Sequence, residues 1–178
     1  MIDVLDYTNY FLNLATLHKK IRHNLNGQKR FTPISMEDLI NNINHNLSFH
    51  PENGENDYAL MLLEDISGTF RGRTVGNMND APDAAFVIMK HCPPEDFNRE
   101  RAIYRECKQI AVSLLGTMTT DYENNANNIM QYFEPEAGVR YQKIGPILEH
   151  CFGIRVEFSF SKSMQLKHNP ADYDTPTP

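Results

Sequence analysis

The sequence predicts an α+β domain: a mainly antiparallel sheet of about four strands, helices packed on one face, in the order α-α-β-β-β-α-(β)-β. Three observations point there. Two helical periodicities open the chain before any strand pattern appears. Three strand-like segments then follow one another between residues 58 and 90. A long helical segment separates them from a closing strand at residues 154–160, where Ile154, Val156, Phe158 and Phe160 alternate with Arg155, Glu157 and Ser159. That two-residue period is the mark of a strand with one dry face and one wet face.

The first element is an amphipathic helix over residues 3–24. Tyr10, Leu14, Leu17 and Ile21 recur at spacings of four, three and four and share one face. Lys19, Lys20 and Arg22 fall in its last turns, where cations suit the negative end of the helix dipole. A second helix starts at Ser35, which can cap it, and its apolar face is Met36, Leu39, Ile40, Ile43 and Leu47. A polar, turn-forming loop follows at residues 50–57.

The middle of the chain reads as an antiparallel meander. Residues 58–64 are nearly continuous apolar sequence, as in a strand covered on both faces. Residues 69–75 follow between Gly68 and Gly76, with Gly72 suggesting a bulge. Residues 84–90 make the third strand, and residues 76–82 read as a protruding loop. Pro93 and Pro94 stop that strand. Glu95 and Asp96 then sit in the first turn of a long helix whose buried face is Ile103, Cys107, Ile110, Leu114 and Met118. Gly116 to Thr120 is expected to end or bend it. A short helix at 122–132, a strand at 139–144 and a turn at Gly145-Pro146 lead into the closing strand. Residues 1–160 form one domain, and the polar, Pro-rich residues 161–178 form a flexible or partner-ordered arm.

Composition narrows the function classes. Of 178 residues 40% are hydrophobic, enough for one real core. The net charge of −6 gives no global attraction to nucleic acid or to an anionic membrane, and specific nucleic-acid binding is not expected. No stretch approaches the ~20 apolar residues of a membrane span. Early acids and the lack of a basic leading region argue against a signal peptide. Cys92, Cys107 and Cys151 are odd in number and widely spaced, as expected of reduced thiols in an intracellular protein.

No nucleotide loop, nucleophile elbow or dinucleotide fingerprint is present. His18 and His23, like His45 and His50, are five apart and would point to different helix faces. The dipeptides His91-Cys92 and His150-Cys151 are the alternative: a small metal-binding or enzymatic factor with two imidazoles and two thiolates. Adjacent strand residues face opposite ways, so buried thiols and surface histidines are favoured. No metal, no cofactor and no catalytic residue are assigned. The basic clusters at residues 18–23 and 28–30 join with Arg71 and Arg73 in a local positive patch, or form a solvated helix end.

The element order resembles that of small phage neck proteins, the tail-terminator and tail-completion proteins, in which a helix, antiparallel strands, a helix and a closing strand follow one another. Residues 14–23 (Leu-Ala-Thr-Leu-His-Lys-Lys-Ile-Arg-His) and 152–158 (Phe-Gly-Ile-Arg-Val-Glu-Phe) are also similar to a group of phage or prophage proteins from Bacteroidetes. The resemblance covers residues 5–165 at the level of organisation. It implies a structural, non-enzymatic protein that forms a ring at a virion neck or tail end and lies in the host cytoplasm before assembly. Its partners would be its own copies and neighbouring neck or tail-tube proteins. The sheet edge, residues 50–57, 76–82 and 161–178, and the side chains of Arg71, Arg73, Arg155 and Glu157 would lie at contacts. A host-directed adaptor is a further alternative.

Overall fold

The computed structural model describes residues 2–24, 27, 29–35, 58–74, 77–147 and 150–164. Among the described residues it is an α+β fold with a mixed sheet and two α-helices. The helix predicted from Ser35 and the loop at 50–57 lie outside the described residues.

Helix α1 (Val4–Leu17) begins at Asp3, whose carboxylate accepts from the N–H groups of Leu5 and Asp6. It ends at Leu17, earlier than its periodicity suggested. His18 turns extended, and the chain folds back so that Ile21 reaches the core and His23 N–H donates to the Ala15 carbonyl. Lys19, Lys20 and Arg22 therefore follow the helix and do not occupy its last turn. Helix α2 (Phe97–Glu123) is capped by Asp96, which accepts from Arg99 N–H. All five residues predicted for its buried face are buried. Gly116 does not interrupt it, because the helical hydrogen bonds pass through a position where no side chain is needed. No helix forms at 122–132, where α2 gives way to turns and one 3-10 turn, Met130–Tyr132.

Seven strands are described: β1 (Phe31–Ile34), β2 (Leu60–Glu64), β3 (Ser67–Thr74), β4 (Asn77–His91), β5 (Arg140–Ile147), β6 (Cys151–Ser159) and β7 (Lys162–Met164). The long β4 organises them. Its second half pairs with β2 on one side and β6 on the other; its first half pairs with β3 and β7. β5 flanks β6, and β1 lies parallel to β2. The predicted meander is thus replaced: β2 and β3 do not pair with each other but follow one another along the same edge of β4. Residues 77–82, predicted as a loop, are strand, because β3 and β7 supply hydrogen-bonding partners on both sides. Gly145-Pro146, predicted as a turn, lies inside β5. The predicted arm starts with β7, and its remainder lies outside the described residues.

One face of the sheet carries both helices. Phe86, Ile88, Ile154, Val156, Phe158 and Phe160 pack there against Tyr7, Phe11, Ile103, Cys107 and Leu114. Tyr10 hydroxyl donates to the Asp121 carboxylate at 2.7 Å, tying α1 to α2. On the opposite face Leu60, Leu62, Val87, Met89 and Cys151 form a second apolar cluster. Strand β2 is buried at every position, as its continuous apolar sequence predicts. Gly153 has a specific cause: a Cβ there would lie 2.1 Å from the Ile88 carbonyl oxygen.

Candidate interface

The polar half of the second sheet face holds a cleft of about 440 Å³. Its floor is Glu64 of β2, Arg155 and Glu157 of β6, and the short Ala85 of β4 between them. Because Ala85 ends at Cβ, the Arg155 side chain can cross β4 to Glu64. The pair is bidentate: Nε to Oε1 at 2.5 Å and Nη2 to Oε2 at 2.6 Å. Nη1 also bonds Glu157. Glu64 is only 6% exposed, so the guanidinium supplies charge and hydrogen bonds that water would otherwise give. The bond to Glu64 holds the Arg155 guanidinium above its usual range, against the opposing effect of burial.

Arg71 of β3 and Arg140 of β5 stand at the rim, with Asp65 and Asp83. Arg71 Nε donates to Thr69 Oγ1 at 3.1 Å, and Ser159 Oγ donates to Asp83 Oδ1 at 2.8 Å. Three of the four predicted contact residues, Arg71, Arg155 and Glu157, therefore line one cleft. Arg73 lies at the irregularity in β3 between Gly72 and Thr74, and its side chain is outside the described set. Sequence reasoning missed Glu64, Asp83 and Arg140. Glu64 ends an apolar run and reads as the polar stop of a strand; only pairing across β4 reveals its partner.

The basic residues at 18–30 do not join this cleft. His23 is buried, and its Nδ1 accepts from the N–H groups of Arg30 and Phe31, both at 3.1 Å. Burial, and then the charge of Lys29, push its pKa down. Arg30 is buried too, stacked 4.0 Å from the centre of the Tyr58 ring, and Arg22 donates to the Tyr58 hydroxyl. These residues are thus neither a single positive patch nor a solvated helix end: α1 stops at Leu17, and His23 and Arg30 are interior. On the helix side, Lys90 of β4 is buried and bonds Glu106 of α2 at 2.5 Å.

The register does bring the His-Cys dipeptides together. His91 pairs with Cys151, and Cys92 N–H donates to the His150 carbonyl at 2.9 Å. The thiols diverge, however. Cys92 belongs to the helix-side core and Cys151 to the opposite cluster. Among the described residues no group of three or more His, Cys, Asp or Glu side chains is placed to hold a metal ion. Cys107 is buried under α2, and burial pushes its thiol up to about 12.

The chain matches no protein-family model, no curated protein and no solved structure. No helix among the described residues is long and apolar enough to cross a membrane.

Proposed function

We propose that the protein is a structural subunit of a phage or prophage-derived neck or tail apparatus, in which copies join into a ring and meet neighbouring neck or tail-tube proteins. The observation that carries this reading is the unlikeness of the two broad faces. The helix layer exposes Phe97 and Val112, 72% and 59% accessible. The opposite face presents the charged cleft of Arg71, Arg155, Glu157 and Glu64. A closed head-to-tail assembly needs two different patches on each subunit. Exposed large apolar side chains on one patch and paired charges on another are the usual materials of such contacts. In this reading the subunit is not an enzyme, and it acts at the neck or tail end of a virion, residing in the host cytoplasm before assembly. The element order, a helix, then strands of a mainly antiparallel sheet, a long helix and closing strands, is the one that suggested tail-completion proteins.

The test is assembly. Light scattering and negative-stain electron microscopy are applied to the purified full chain, alone and with the products of adjacent genes. Closed rings of uniform size are expected. A strict monomer under both conditions would remove the ring reading. Retention of assembly in a Glu157→Lys variant would remove the cleft from it.

A further inference from the structure

From the exposed strand β3 we infer a second interaction surface: β3 pairs antiparallel with β3 of a second copy, Phe70 lying on the two-fold axis. Among the described residues β3 pairs only with β4, so its outer edge carries unpaired backbone groups. Every position from Ser67 to Gly72 is exposed, and Phe70 is 52% accessible. Among the described residues three other strands are paired on one side only; β7 is just three residues long, and the other two are blunted. β1 contains Pro33, and β5 contains Pro146 with a register irregularity between Ile144 and Ile147. β3 has no proline.

The pattern of β3 is self-complementary. In Gly68-Thr69-Phe70-Arg71-Gly72 the apolar Phe70 is flanked on both sides by a polar residue and then a glycine. With Phe70 opposite Phe70 of the second copy, Thr69 faces Arg71 and Gly68 faces Gly72. No like charges stand directly opposite, and each Arg71 meets a threonine hydroxyl, the kind of acceptor it already uses at Thr69. The two rings share a face with the four glycines, which leave room for the rings over the backbone. Gly68 is small for a reason of its own as well: a Cβ would lie 2.7 Å from Pro82 Cα. Moving the two-fold axis by one residue to either side, a register shift of two, puts Thr69 opposite Thr69 or Arg71 opposite Arg71 and separates the rings. This contact is isologous, unlike the head-to-tail contacts of a ring, so a ring that carried it would be doubled back to back.

The experiment combines sedimentation with cysteine cross-linking of the full-length protein. Wild type should show a concentration-dependent dimer. Phe70→Lys, which puts two ammonium groups at the axis, should be monomeric at the same concentrations with an unchanged melting temperature. Under oxidation Phe70→Cys should form a disulfide-linked dimer by itself. Thr69→Cys should do so only when mixed with Arg71→Cys. A dimer that survives Phe70→Lys, or cross-linking of Thr69→Cys with itself, would overturn the inference. Rings that form with Phe70→Lys, and without the Phe70→Cys link, would overturn it while leaving the ring reading intact. Linked dimers that never grow further would support it and sink the ring reading.

Discussion

His23 shows how one side chain sets a pH dependence. Its Nδ1 accepts two backbone N–H groups, so the ring must stay neutral, and Nε2 finds no partner among the described residues. Burial lowers its pKa. The unfolded chain thus binds a proton, near pH 6.5, before the folded one does. The stabilisation is complete above that pH and is lost as pH falls toward the folded pKa. Melting temperature should drop from pH 7.5 to pH 5, and His23→Ala should flatten that slope while costing about 2–3 kcal/mol at neutral pH from two buried donors left unpaired. Glu106 works in a lower window. Burial alone would raise its pKa, but the bond and charge of Lys90 and the charge of Arg99 lower it. Its contribution is present above the ordinary carboxylate range and fades as pH falls below it. Arg155 gives a second test. From the alternation, Arg155 and Glu157 both read as wet-face residues whose replacement leaves the fold intact. The bidentate bond to buried Glu64 changes that for Arg155: Arg155→Ala should cost about 3 kcal/mol in chemical denaturation, because a buried carboxylate loses its partner. Glu157→Ala, at a side chain 42% exposed, should cost under about 1 kcal/mol.

At the scale of elements, β6 carries the sheet. It lies between β4 and β5, and its inner residues Ile154, Val156 and Phe158 are all nearly inaccessible. Phe158 contacts Phe11, Phe133 and Phe160 at ring-centroid distances of 5.7, 6.1 and 5.5 Å, so it joins α1, the turns after α2 and the residue just beyond β6. Val156→Asp or Phe158→Asp should abolish cooperative unfolding by circular dichroism, since a carboxylate would enter this cluster without a partner. Gly153→Ala should be nearly as damaging, because the added methyl would overlap the Ile88 carbonyl and force β6 away from β4. A melting temperature within a degree or two of wild type would contradict this account of the β4–β6 contact.

At the scale of the molecule, the acidic chain distributes its features over separate surfaces: the charged cleft on one face, exposed Phe97 and Val112 on the other, and the bare edge of β3. Each surface belongs to a different assembly experiment. Glu157→Lys addresses the cleft, and Phe70→Lys addresses the edge. If ring contacts use the cleft, raising salt should weaken assembly, because exposed ion pairs are screened. Assembly through Phe70 should be far less sensitive to salt, since its contacts are apolar and backbone.

Periodicity made much of this legible. The buried face of α2, the continuous burial of β2 and the alternation of β6 all depend on which residues share a face, a property that local geometry imposes. That the two thiols of the His-Cys dipeptides lie on opposite sides of the sheet follows from the register of β4 with β6, not from local geometry. The remainder depended on partners far along the chain. Residues 77–82 carry Asn, Asp and Pro and read as a loop, and become strand because β3 and β7 hydrogen-bond them from both sides. α1 ends at Leu17, and Ile21 reaches the core from the turns that follow it. The parallel pairing of β1 and the cleft charge Glu64 leave no local signal at all. By itself the sequence determined the class of the fold and the faces of α2, β2 and β6 that turn to the core, though not that of Leu17, which is 71% exposed. The tertiary structure alone decided which strands met and which charges were left in the cleft, because hydrogen-bond partners and ion pairs are chosen across space, after local periodicity has done its part.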